Sequence, residues 1–217
     1  MKKGIEGVIF DLDGVIVTTD EYHYRAWKQI AMDEEIYFDR KINERLRGVS
    51  RMQSLEIILE RTDSKYTEEE KARLAERKNN YYREYINQLN SRDILPGALS
   101  LLEQLKTEKI RIAVGSSSKN CDTILERIGL SSYFDAVVSG NDISRSKPDP
   151  EVFLLAAKRL CLEPGSCLVV EDALAGVTAA LQAGMKVLAV GSASSDRRAT
   201  IRAADLSKVT VEEILAA

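Results

Sequence analysis

A chain of 217 residues with 44% apolar and 30% charged side chains can build one generous α/β domain, or a core with a smaller domain; at a formal net charge of -3 it has no general attraction to nucleic acid or membrane. No stretch approaches the roughly 20 apolar residues of a spanning helix, and the apolar run behind Lys2 and Lys3 is broken at Glu6 and Asp11, so the expected location is the cytoplasm. Three cysteines without C-x-x-C spacing, a single histidine, and no G-x-G-x-x-G or G-x-x-x-x-G-K-[ST] argue against a disulfide framework, a two-histidine metal site, a dinucleotide fold and a P-loop.

The first predicted element is an apolar, partly β-branched strand over residues 5–10 that stops at Asp11-Leu12-Asp13-Gly14. Such a run suits a central parallel strand covered on both faces, and Gly14 permits a sharp exit. Ligands of open α/β sheets bind at the carboxyl ends of strands. Carboxylates two residues apart repel unless a cation or a shared proton relieves them, so Mg²⁺ with a phosphate, and an Asp nucleophile forming an acyl phosphate, suit this end. A lone Asp-x-Asp is also compatible with solvated acids at a turn.

Residues 19–91 read as helical throughout, with seven of the eight tyrosines and a dense charge pattern, and this composition shift marks an inserted helical domain. Thr19 and Asp20 open a helix carrying His23, Ala26, Trp27 and Ile30; Leu55, Ile58 and Leu59 form a second stripe; Thr67-Glu68-Glu69-Glu70 is a capping box for a helix running through Leu89. Between them, Arg47-Gly48-Val49-Ser50-Arg51 breaks the periodicity. It reads either as a polar loop or as a mobile turn presenting Arg51 to a phosphate.

From residue 92 the α/β alternation resumes: a helix after Pro96-Gly97, a strand over 110–114, a strand over 136–139, a helix over 151–160, a strand over 168–170, a helix over 173–183, a strand over 187–190 and a closing helix after Thr210. The strand at 110–114 ends in Gly115-Ser116-Ser117-Ser118-Lys119-Asn120, an anion cradle or simply a serine-rich turn. Lys147 sits between Ser146 and Pro148 in a proline-stiffened loop, and Glu171-Asp172 repeats the acidic ending of the first strand. Two acidic strand ends, a serine end and a lysine loop together describe a metal and phosphate site.

With Asp11-Leu12-Asp13-Gly14, Ser116, Lys147 and Glu171-Asp172 in this order, the sequence resembles the haloacid dehalogenase (HAD) superfamily. The resemblance implies a Rossmann-like parallel sheet core of that type over 1–18 and 92–217, with an inserted helical cap domain over 19–91. Glu21-Tyr22-His23, Arg25-Ala26-Trp27, Gly48-Val49-Ser50-Arg51, Arg77-Lys78-Asn79, Ser118-Lys119-Asn120 and Lys147-Pro148 resemble its β-phosphoglucomutase branch, which usually has Asp-Thr where this chain has Thr18-Thr19. That implies Asp11 as nucleophile, Asp13 as general acid and base with His23 as its partner, and Ser116 and Lys147 on phosphate oxygens. It implies Mg²⁺ on Asp11, the Asp13 carbonyl, Glu171 and Asp172, and β-glucose 1,6-bisphosphate as intermediate. His23, Trp27, Gly48, Val49, Ser50, Arg51, Lys78, Ser117, Ser118, Lys119 and Asn120 would bind a small sugar phosphate, with a closing cap excluding water and a monomer as the expected state. A sugar-phosphate phosphatase of the same superfamily and a mutase for another glycosyl phosphate share the core motifs. A phosphorylated receiver module uses similar chemistry but lacks a large insertion after its first strand.

Overall fold

The computed structural model describes residues 4–46 and 49–217, which fall into two compact units: Met1–Thr18 with Leu89–Ala217, and Thr19–Gln88. The first unit is a six-stranded sheet of β1 (Gly7–Phe10), β2 (Arg111–Gly115), β3 (Ala136–Val138), β4 (Cys167–Glu171), β5 (Lys186–Ala189) and β6 (Ile201–Arg202), ordered β3-β2-β1-β4-β5-β6 with every pairing parallel. The continuous apolar run of β1 is explained by its place. All four of its residues are buried between β2 and β4, so both faces must be apolar.

The register pairs Phe10 with Val114 on one side and Val170 on the other, so the residues after β1, β2 and β4 emerge at one end of the sheet. Connections leave β1 toward β2 and β3 on one side and resume at β4 on the other, which makes the gap between β1 and β4 the switch point where the chain leaves an open crevice. One face of the sheet, with Ile9, Ala113, Val169 and Val187, packs against Val152, Phe153 and Ala156 of α7 (Glu151–Arg159) and Val177 and Ala180 of α8 (Leu174–Gln182). Strand alternation turns Val8 and Phe10 to the other face, where α5 (Ala98–Thr107) buries Leu101, Leu102 and Leu105 against β2 and packs with α9 (Val211–Leu215). A short α6 (Cys121–Arg127) follows β2.

The second unit is all-helical: α1 (Asp20–Asp33), α2 (Arg40–Glu44), α3 (Arg51–Leu59) and α4 (Glu68–Ile86). Trp27, Ile30, Leu55, Ile58 and Leu74 form its own core as α4 packs on α1 and α3. The Thr67 and Glu70 box caps α4 with both reciprocal bonds, and Ser50 with Gln53 does the same for α3. α4 ends at Ile86, before the predicted Leu89.

β6 and α2 are among the short elements that lie outside the predicted set. β6 is only two residues long and is held by Thr200 N to Val187 O and Ala203 N to Ala189 O, so it exists through its neighbour rather than through any apolar pattern. α2 is one turn capped by Asp39, whose carboxylate accepts from Ile42 N at 2.8 Å. No helix among the described residues is long and apolar enough to cross a membrane.

Candidate active site

At the carboxyl end of the sheet the chain makes a tight reversal after β1. Ile16 N and Val17 N donate to Leu12 O, and Gly14 N donates to Val17 O at 2.7 Å. Gly14 has φ of +85°, a conformation that excludes most side chains, and a Cβ on it would lie 2.2 Å from Asp172 Oδ2. Glycine is therefore required both to turn the chain and to let Asp172 reach across to β1.

Asp11, one residue beyond β1, is 8% exposed, and Glu171, the last residue of β4, is 1% exposed. Lys147 joins them: its Nζ donates to Asp11 Oδ1 and to Glu171 Oε1, each at 2.5 Å, above the ring of Phe153. Burial disfavours the ammonium, but the charges of Asp11 and Glu171 outweigh it and hold the Lys147 pKa above its ordinary value. The Glu171 carboxylate also accepts from Ala173 N at 2.9 Å and lies directly on Gly176 of α8, where a Cβ would sit 1.7 Å from Oε1. Burial raises the Glu171 pKa, against the pull of Lys147.

Asp11, Glu171 and Asp172 place one oxygen each within 4.8 Å of one another. One ammonium does not balance three carboxylates. Burial, together with the charges of Asp11, Glu171 and Asp13, pushes the Asp172 carboxyl up to about 8. An all-oxygen donor set with surplus negative charge fits a hard divalent cation, which would remove that repulsion.

The serine loop lies beside β1 because β2 pairs with it. Ser116 is buried, its N donates to Val138 O, and its Oγ accepts from Ser118 N at 3.1 Å; Ser118 Oγ in turn accepts from Asn120 N. The loop is drawn tightly against the β3 end, since a Cβ on Gly140 would fall 2.3 Å from Ser117 O. Ser117 Oγ is buried with no hydrogen-bond partner among the described residues, an arrangement whose cost a bound oxygen ligand would remove. Lys119 is exposed, and Asn120 immediately precedes α6.

The sequence-predicted residues of the helical unit form a separate group. Lys78, 2% exposed, donates to His23 Nδ1 at 2.7 Å and lies over the rings of Trp27 and Tyr82. Burial, with the charges of Lys78 and Arg51, drives the His23 pKa well below 6.5, so the ring is neutral. Because an ammonium has only donors, Nδ1 accepts and the ring proton is assigned to Nε2. Trp27 belongs to the core of this unit and walls the lysine on one side. Arg51 is the first residue of α3, following a Ser50 that is spent as the helix cap, and its Nη2 donates to Asn79 Oδ1 at 2.9 Å. Val49 is exposed; Gly48 lies outside the described residues. Arg77 pairs with Glu34 at 2.6 Å and ties α4 to the end of α1.

Sequence reasoning did not single out Gly176 or Phe153 as site residues, and it quoted Asn79 only as part of the Arg77-Lys78-Asn79 motif, without a role. A lone glycine inside the pattern of α8 was a usable signal of close approach; Phe153 reads locally as an apolar core position of its helix, and the contact of Asn79 with Arg51 spans 28 residues, which no local pattern reports.

Residues 8–190 match the family model described as haloacid dehalogenase-like hydrolase. The chain is 45% identical over 210 residues to β-phosphoglucomutase of Bacillus subtilis, covering 96% of this chain and 93% of that protein. It is 32% identical to a phosphorylated carbohydrates phosphatase of Thermotoga maritima, covering 97% of each. Among solved structures, a β-phosphoglucomutase of Clostridium difficile superposes with a TM-score of 0.88 at 43% identity, over 97% of this chain and 95% of that one. With its motifs gathered on the sheet end and a match over most of its length, the chain belongs to the haloacid dehalogenase-like hydrolase family.

Proposed function

We propose that the protein is a Mg²⁺-dependent β-phosphoglucomutase, interconverting β-D-glucose 1-phosphate and glucose 6-phosphate through an aspartyl phosphate on Asp11 and β-glucose 1,6-bisphosphate. The observation that carries this reading is the likeness to the Bacillus subtilis β-phosphoglucomutase, which runs through both units and so includes the residues that would select a sugar, not only the carboxylates shared by phosphatases.

Asp11 attacks phosphorus as a carboxylate; Lys147 already holds its Oδ1 and fixes the direction of the other oxygen. Asp13, two residues on, gives a proton to the departing hydroxyl and takes one from the attacking hydroxyl. Ser116 and the unpaired hydroxyl of Ser117 meet phosphate oxygens, while Arg51 takes the phosphate that is not transferred. Asp11, the Asp13 carbonyl, Glu171 and Asp172 are the groups that would hold Mg²⁺, in line with the oxygen cluster. When bound there, the ion would supply neutralisation of the phosphate charge. Lys78 and Trp27 shape the sugar site, and neutral His23 keeps the Lys78 ammonium in place.

The likeness to the Thermotoga maritima phosphatase keeps one other outcome in view, in which water attacks the phosphoenzyme. Following ³¹P NMR of purified protein with Mg²⁺, β-glucose 1-phosphate and a trace of bisphosphate decides between them. Conversion to glucose 6-phosphate is expected; inorganic phosphate as the sole product would refute the mutase assignment.

A further inference from the structure

We propose that Asn79 is the positioning residue for Arg51, and that its being an amide rather than a carboxylate keeps the guanidinium charge available to a substrate phosphate. The inference rests on the sugar-phosphate reading above and deepens it.

Arg51 is anchored twice. Its backbone opens α3, held by the reciprocal bonds of Ser50 and Gln53, and its side chain reaches α4, where Nη2 donates to Asn79 Oδ1. Since a guanidinium has only donors, the amide must turn its oxygen toward it. In the same unit, Arg40 bonds Glu21, Arg45 bonds Glu60, Arg73 bonds Glu69 and Arg77 bonds Glu34. Each of those arginines meets a carboxylate, whereas Arg51, like Arg25, Arg61 and Arg83, has no carboxylate at ion-pair distance among the described residues and is held by a neutral amide instead. Glu76 favours its charge only from further away, and burial, the larger influence, disfavours it.

The guanidinium is thus half-buried, oriented and not neutralised at contact. A neutral acceptor fixes one nitrogen of the planar fork while leaving the others to meet two oxygens of an anion. A carboxylate in the same place would orient it equally well but would compete with the phosphate for its charge. The choice of Asn over Asp separates orientation from neutralisation.

Asn79→Asp preserves shape and adds the competing charge; Asn79→Ala removes the tether. With glucose 6-phosphate as the calorimetric ligand, Asn79→Asp is expected to weaken binding about 10- to 100-fold, the range of one charge-assisted hydrogen bond, and to raise KM more than it lowers kcat. Asn79→Ala is expected to weaken binding about 3- to 10-fold. In an Arg51→Ala background either change should alter affinity less than about twofold, because interaction through Arg51 is no longer possible. Wild-type affinity in Asn79→Asp, or an equal loss with and without Arg51, overturns the proposal and leaves Asn79 a structural residue. If wild-type protein binds glucose 6-phosphate with this pattern but does not form it from β-glucose 1-phosphate, the mutase reading fails and the role of Asn79 stands. No binding by wild-type protein overturns the proposal.

Discussion

Gly176→Ala tests whether the buried carboxylate network depends on the bare backbone of α8. In an exposed helix the substitution would stabilise by about 1 kcal/mol through helix propensity. Here the added Cβ would stand 1.7 Å from Glu171 Oε1 and 2.0 Å from its Cδ, so either the carboxylate or the helix has to move. Moving the carboxylate gives up the bond to Lys147, worth about 1.5 to 3 kcal/mol as a charge-assisted contact, and overpacking adds about 1 to 3 kcal/mol. Subtracting the propensity gain leaves a net loss of about 1.5 to 5 kcal/mol. Urea unfolding of wild type and variant measures it, and turnover should fall in parallel because Lys147 loses one of its two anchors. A variant as stable and as active as wild type would refute the packing of Glu171 on Gly176 as the reason for glycine at this position.

Metal-free protein should lose stability as pH rises from about 4 to about 8. Asp172 has a folded pKa raised above its unfolded value by burial and neighbouring charge, so the folded state binds the extra proton across that window and releases it toward the top, at up to about 1.4 kcal/mol per pH unit. Thermal melts should show this slope diminished in Asp172→Asn and opposed by Mg²⁺, and an unchanged slope in the variant would reassign the proton. Lys147→Met leaves Asp11 and Glu171 buried without their shared cation, and should destabilise by about 3 to 5 kcal/mol at pH 8 and less at pH 5, where Glu171, whose pKa burial raises, takes up a proton more readily. A loss below about 1 kcal/mol at both pH values in chemical denaturation would show that the bridge is not what holds the two acids.

The reacting end of the sheet was legible because each part is local. An apolar run ending at Asp11-Leu12-Asp13-Gly14 has to be a buried strand with acids at its exit, and Leu168-Val169-Val170 before Glu171-Asp172 repeats the pattern. The capping boxes were partly legible: Thr67 to Glu70 was recognised, while Ser50 lay inside a segment whose glycine and arginines suggested a polar loop or a mobile turn, and it proved to be the N-cap of α3, paired with Gln53. β6 was not legible, since two residues carry no periodicity and its strand character comes from the edge of β5.

The sequence alone determined the family, the order of the longer helices and strands, and the carboxylate, serine and lysine groups, because alternation, capping and strand-end chemistry operate over a few residues. Only the tertiary structure decided that one lysine bridges two acids 136 and 24 residues away, that burial and neighbouring acids push the Asp172 carboxyl up to about 8, that His23 is a neutral acceptor for Lys78, and that Asn79 rather than an acid holds Arg51. These are facts of separation and desolvation, and both depend on which distant residues the packed sheet and helices bring within a few ångströms.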